Sequence, residues 1–269
     1  MELQKKKELL ELCSRASLLA GKAILEIYNS DFAVEHKDDK SPLTEADKQS
    51  HLTIMEILKE TGIPILSEEG RDIPFEERKD WDYFWMIDPL DGTKEFVKRN
   101  GEFTVNIALI HEQKAIMGII YVPVKDDLYI GAQGIGSFKV EGFSELKVAS
   151  IEALLNDKTK LPKAVDRKYT IVGSRSHKSA ETEEFIEAKR VEQGEIEMIS
   201  VGSSLKLCMV AEGLADDYPR FAPTMEWDTA AGQAIVEAMG GKVIDWETKT
   251  VMKYNRKDLL NKWFLVSKD

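Results

Sequence analysis

The sequence predicts a mixed protein: an α+β first half followed by a layered α/β second half. Three observations carry this. The N-terminus is apolar at helical spacing. Residues 83–140 hold successive apolar runs of strand length. Beyond residue 168, short apolar runs alternate with helical patterns.

In order along the chain, Leu9, Leu12, Ala16, Leu19, Ala23 and Ile27 define one apolar face and predict a helix over 3–29. After the charged loop EHKDDKSP (35–42), a second helix is expected from Thr44 to about Glu60, a short strand over Ile63–Glu68, and an exposed loop, GRDIPFEERKD, over 70–80. Tyr83–Ile87 reads as a buried strand with Asp88 at its end. Pro89 fixes φ and removes a donor, so the chain is expected to turn there. Asp91-Gly92 is a turn pair, and Thr93 opens a helix. Phe103–His111 and Ala115–Tyr121 form a hairpin about 112–114, followed by strands near Leu128–Ile130 and Ser137–Val140. The glycine-rich GAQGIGSF (131–138) joins two strands. It lacks the lysine and following helix of a nucleotide loop, so it reads as a hairpin turn.

The polar, proline-containing segment Ser150–Lys168 divides an N-terminal α+β domain (1–150) from a C-terminal α/β domain (151–269). In the second, strands at Tyr169–Val172, Glu195–Ser200, Asp217–Arg220 and Lys242–Asp245 alternate with helices at Ala180–Glu192, Ser203–Glu212 and Asp228–Met239.

Acidic residues outnumber basic ones by 48 to 37, a net charge of −11 that disfavours a nucleic-acid partner. No apolar run approaches the roughly 20 residues of a membrane span. The N-terminus, MELQKKKELLELC, is amphipathic and lacks the apolar core of a signal peptide. Cys13 and Cys208 lie far apart on apolar helical faces and read as buried thiols, which together points to the cytoplasm.

The chemistry-bearing stretch is WMIDPLDGTKEF (85–96). Asp88, Asp91 and the Leu90 carbonyl converge where a strand gives way to a helix, with Gly92 allowing close approach of the backbone. Aspartates in a turn commonly only cap it, but hard cations such as Mg²⁺ also take such oxygen ligands. Four further stretches bear on the choice. SEEG (67–70) ends a strand in two carboxylates. EWDTAAG (226–232) sets Asp228 at a helix start, where it could serve as a plain N-cap. SPLTEAD (41–47) has Thr44 and Asp47 in a capping-box pattern. GSRSH (173–177) and VGSSLK (201–206) follow strands of the second half.

The ordered set TEAD, SEE, DPLDGT and WDTAAG resembles the lithium-sensitive, Mg²⁺-dependent phosphomonoesterases of the inositol monophosphatase superfamily. The longer runs DPLDGTKEFVKRNGEFTVNIALI and VGSSLKLCMVAEG resemble its CysQ-type 3'(2'),5'-bisphosphate nucleotidase branch. The resemblance implies a sugar-phosphatase fold, an α-β-α-β-α sandwich, and removal of the 3'-phosphate of adenosine 3',5'-bisphosphate to give AMP. It implies metal ligation by Glu68, Asp88, Asp91, Asp228 and the Leu90 carbonyl. It pairs Asp47 with Thr93 in activating the attacking water. Gly92 and Thr93 match the backbone cradle of the phosphate, while Ser174, His177, Gly202 and Lys206 match positions that hold the nucleotide. The substrate-contacting set it implies also takes in Glu68, Leu90, Asp91 and Asp228. Members of the branch can associate with the inner face of the membrane, although the sequence shows no anchor. Inositol monophosphate or fructose 1,6-bisphosphate as substrate, or a silent metal- or phosphate-binding regulator, stay open on the metal-site residues alone.

Overall fold

A computed structural model of the chain describes residues 1–30, 45–146, 150–173 and 179–269. Helix α1 (Leu3–Tyr28) lies against α2 (Glu45–Leu58), and both cover one face of a six-stranded sheet. That sheet consists of β1 (Ile65–Ser67), β2 (Tyr83–Asp91), β3 (Thr104–His111), β4 (Lys114–Val122), β5 (Asp127–Ala132) and β6 (Gly136–Glu141), in sequence order. Only β1 and β2 run parallel; the rest is an antiparallel meander. The short α3 (Phe75–Arg78) lies in the β1–β2 crossover, and α4 (Thr93–Val97) follows β2.

The second sheet has the order β10-β11-β9-β7-β8. Its strands are β7 (Tyr169–Gly173), β8 (Ile196–Ser200), β9 (Asp217–Arg220), β10 (Lys242–Asp245) and β11 (Phe264–Ser267). Helices α6 (Leu205–Glu212) and α7 (Glu226–Met239) lie between the two sheets, and α5 (Ala180–Gln193) covers the far face of the second. The result is the layered α-β-α-β-α sandwich. Among the described residues, three apolar clusters fill the layers: one lies between α1, α2 and the first sheet, a second runs from the other face of that sheet through α6 and α7 to the second sheet, and a small third lies under α5.

Helix α7 sits unusually close to the first sheet. A Cβ added to Gly118 would lie 2.2 Å from the Ala231 carbonyl oxygen, and one added to Gly131 would lie 2.4 Å from Ile235 Cα. Small residues on both surfaces let the backbones meet, which fixes the seat of the helix.

Several expectations need correction. The segment 70–80 is no plain exposed loop, because Ile73 and Arg78 are buried and α3 interrupts it. Partners far along the chain satisfy Arg78, and local pattern cannot show them. The hairpin after β3 turns on two residues, Glu112 and Gln113, at φ 48° and 64°, the left-handed pair that a tight hairpin requires. Gly131 and Gly136 belong to strands, so the turn between them is shorter than GAQGIGSF suggests. Strand β11 has no counterpart in the sequence reading. Both thiols are free and buried, as expected.

Candidate active site

The site begins with an irregularity in β2. Asp88 pairs opposite Asn106 and Asp91 opposite Thr104, so three steps on β2 face two on β3. The extra residue makes a bulge that accommodates Pro89, which a regular ladder would not. The strand therefore runs through the proline to Asp91 instead of ending at Asp88. Asp88 Oδ1 accepts the Leu90 N–H at 3.1 Å, and Ser50 on α2 donates to the Pro89 carbonyl at 2.6 Å. The second contact pins α2 to the bulge, and Asp47, one turn earlier on α2, is only 4% exposed. Gly92 follows at φ 96° and lets the chain enter α4, whose first residue is Thr93.

Glu68 leaves the end of β1, which is parallel to β2, so both strands deliver their carboxylates to the same edge. Asp228 arrives from the other half of the chain. Helix α7 starts two residues earlier than its sequence suggests. Asp228 is its third residue and accepts the Met225 N–H at 2.9 Å, so it reaches back to the cap instead of being the cap. The early start follows from Glu226, whose buried carboxylate is held by Arg256 and by the backbone of Asn255 and Arg256. Carboxylate oxygens of Glu68, Asp88 and Asp228 lie within 4.8 Å of one another. Asp91 is one step away. Its Oδ2 accepts from the Ser204 N–H and, at 3.4 Å, from the Asn106 amide.

Such crowding is costly for bare charges. Burial, then repulsion by Glu68, Asp91, Asp228 and Asp47, holds Asp88 well above the usual carboxylate range. Burial and then Asp91 do the same to Asp228. Glu68 is exposed as a residue, but its carboxyl turns inward against Asp88. Burial and Asp47 push it up to about 7. Burial also raises Asp91, opposed by Lys206 and by its hydrogen bonds. An all-oxygen, all-carboxylate set whose members disfavour one another's charge suits a hard divalent cation, which would relieve the repulsion. Glu68, Asp88, Asp91 and Asp228 are the residues that would hold it.

Asp91 and Asp228 also line a cleft of about 260 Å³ between the halves. Its far wall is the segment before α6, where Gly202 N donates to Glu102 at 2.8 Å and Ser203 adopts φ 45°. Lys206 Nζ donates to the carbonyls of Ser203 (2.7 Å) and Val201 (3.2 Å), and burial lowers its pKa to about 8. Three more cations, Lys94, Lys98 and Arg220, line the same cleft, and sequence reasoning passed over them. For Lys94 and Lys98 a signal existed, since they are four apart just after the DGT turn and so share a face. Arg220 had none, because only the second sheet brings it there. Ser174, His177 and Thr44, expected from the sequence to cap α2, lie outside the described residues.

Comparison with known proteins agrees with this architecture. The sequence model of the inositol monophosphatase family matches residues 5–268. The protein named 3'(2'),5'-bisphosphate nucleotidase CysQ of Salmonella typhimurium is 42% identical over 264 residues, covering 96% of this chain and 99% of its own. Its namesake in Escherichia coli K12 is 44% identical over 253 residues, covering 92% and 95%. The solved structure of CysQ from Bacteroides thetaiotaomicron superposes with a TM-score of 0.86 at 48% identity, covering 94% of this chain and 95% of that one. The inositol monophosphatase of Anabaena, at 23% identity and a TM-score of 0.70 (99% and 92% covered), shares the fold. With a family match over nearly its whole length and relatives above 40% identity, this chain belongs to the inositol monophosphatase family.

Proposed function

We propose that the chain is a Mg²⁺-dependent phosphomonoesterase that removes the 3'-phosphate of adenosine 3',5'-bisphosphate, leaving AMP. Enzymes of this family are metal-dependent, and the choice of Mg²⁺ rests on the all-carboxylate donor set. The observation that carries the reading is the adjacency of two features. The cluster of Glu68, Asp88 and Asp228 meets, through Asp91 and Asp228, a cleft lined by Lys94, Lys98, Lys206 and Arg220. A substrate with one phosphate to lose and another to be held fits that pair of features. The identity of the nucleotide follows the relatives named CysQ.

When bound, divalent cations would neutralise the scissile phosphate and lower the pKa of a water. The chain supplies the rest. Glu68, Asp88, Asp91, Asp228 and the Leu90 carbonyl hold the cations. Thr93 passes a proton from the attacking water toward Asp47, which is buried and near enough to the cluster for its charge to raise Glu68 and Asp88. The Gly92 and Thr93 N–H groups face the phosphate. Gly202 lets the nucleotide approach the wall of the cleft, and Lys206 lends its charge there. Ser174 and His177 belong to the nucleotide side of the same reading. A cytoplasmic location is part of the proposal, supported by two free buried thiols. Among the described residues no helix is long and apolar enough to cross a membrane.

Phosphate release from adenosine 3',5'-bisphosphate, inositol monophosphate and fructose 1,6-bisphosphate, with Mg²⁺ and with a chelator, tests the proposal. The nucleotide should be turned over fastest and only with the cation. Preference for either sugar phosphate would overturn the substrate, and turnover surviving complete chelation would overturn the metal.

A further inference from the structure

The cation ligands come from opposite ends of the chain, with Glu68 on the β1–β2 crossover and Asp228 at the start of α7, so something must hold their spacing. We propose that Arg78, Asn255 and Glu226 form a buried latch that sets the position of Asp228 relative to Glu68, making them positioning residues for the cation site. Arg78 lies in the crossover that Glu68 begins, and it is 2% exposed. Its Nη1 donates to Asn255 Oδ1 at 2.7 Å, and Asn255 Nδ2 donates back to the Arg78 carbonyl at 2.8 Å. The Asn255 N–H then donates to Glu226 Oε2 at 2.6 Å, and Arg256 Nε to Glu226 Oε1 at 2.8 Å. Glu226, fully buried, opens α7 two residues before Asp228.

The relay is thus continuous from the crossover to the helix that presents the ligand. Asn255 sits at φ 63°, a conformation that asparagine tolerates and most residues resist, so its amide is aimed by the backbone as well as by its partners. A buried ionic cluster is weak support for stability, since apolar side chains of equal volume often serve as well. Directional hydrogen bonds do what apolar packing does not: they prevent sliding. No residue of the latch belongs to the carboxylate cluster, so its effect on a cation comes through placement or through long-range charge; by charge alone Arg78→Met would tighten cation binding, so a weaker Kd in that variant reports placement.

The test uses full-length protein with Arg78→Met, Arg78→Lys and Glu226→Gln. Mn²⁺ binding is followed by the electron paramagnetic resonance of the free ion, and melting temperature is read in parallel. Arg78→Met should raise the Mn²⁺ Kd about ten-fold or more, in the range that outer partners of metal ligands reach, and Arg78→Lys should raise it less. Arg78→Met combined with Glu226→Gln should bind no more weakly than the worse single variant, as members of one unit do. A lowered melting temperature with an unchanged Kd overturns the latch, and so does no change in either. If Arg78→Met does not fold, Arg78→Lys decides by the same two readings. The inference rests on the carboxylates being a cation site. Wild-type protein that fails to bind Mn²⁺ would sink that reading, whereas strong wild-type binding with unaltered variants sinks only the latch.

Discussion

Replacing Gly118 by alanine should disable a site that the residue never touches. The new Cβ would stand 2.2 Å from the Ala231 carbonyl oxygen and 2.9 Å from Ala231 Cα. An ordinary carbon–oxygen contact is about 3.3–3.6 Å, so something must retreat by roughly 1 Å. Strand β4 is hydrogen-bonded on both edges, to β3 and β5, and cannot yield alone. Helix α7 must therefore move, and Ala231 is less than one turn from Asp228. Overpacking of this kind costs about 1–3 kcal/mol. In a chain of this size that is a fall of roughly 2–10 °C in melting temperature. Displacing a catalytic constellation by about 1 Å costs on the order of 10²-fold in rate. Phosphate release at saturating Mg²⁺ and substrate gives kcat, and thermal unfolding by circular dichroism gives Tm. A lowered Tm with unchanged kcat would show that the placement of Asp228 does not depend on the seat of α7, and no change in either would refute the close contact itself.

Four further outcomes follow from the site. Asp88→Asn should lower turnover by about 10³-fold or more, because several kcal/mol of cation-mediated stabilisation are lost, yet raise the Tm of metal-free protein by relieving repulsion; a lower metal-free Tm would contradict the electrostatic picture. For metal-free protein, Glu68 has a folded pKa of about 7 against an ordinary 4.5, so the folded state holds its proton more tightly than the unfolded state. Stability should therefore be lost as pH rises from about 5 to 7.5, by about 1 kcal/mol once solvent screening is allowed for, and saturating Mg²⁺ should flatten the slope; calorimetry showing stability rising over that window would be the contrary result. Lys206→Met should reduce kcat/KM for adenosine 3',5'-bisphosphate by about 10–100-fold while sparing a small phosphate ester, and equal losses on both would assign the lysine to shaping the Val201–Ser203 turn. Asp47→Asn and Thr93→Ala should each lower kcat by about 10²–10⁴-fold, with the double variant little worse than either single; additive losses would separate the pair.

Much of the fold was legible because its signals are local. Helical apolar spacing marked α1, the helices expected at α2 and α5 stand within a few residues of their ranges, and the apolar runs of strand length marked the meander from β3 to β6. The DPLDGT and WDTAAG stretches were legible only as a set, since each alone reads as a turn or a cap, and it is their order with TEAD and SEE that resembles a metal-dependent family. What the local pattern could not show is whatever depends on a partner far along the chain. Pro89 looks like a stop, and only the β3 register, with three steps facing two, turns it into a bulge that keeps the strand going to Asp91. Asp228 looks like a cap until Glu226 is seen buried against Arg256, which moves the helix start back. Arg78 sits in a stretch as charged as any surface loop, and its burial depends on Asn255, 177 residues away. The charge pattern reveals that carboxylates are present, while their being within 4.8 Å of one another, and so in need of a cation, is a property of two halves packed across α7. Hydrophobic periodicity is written residue by residue, but repulsion and desolvation exist only once the chain has closed.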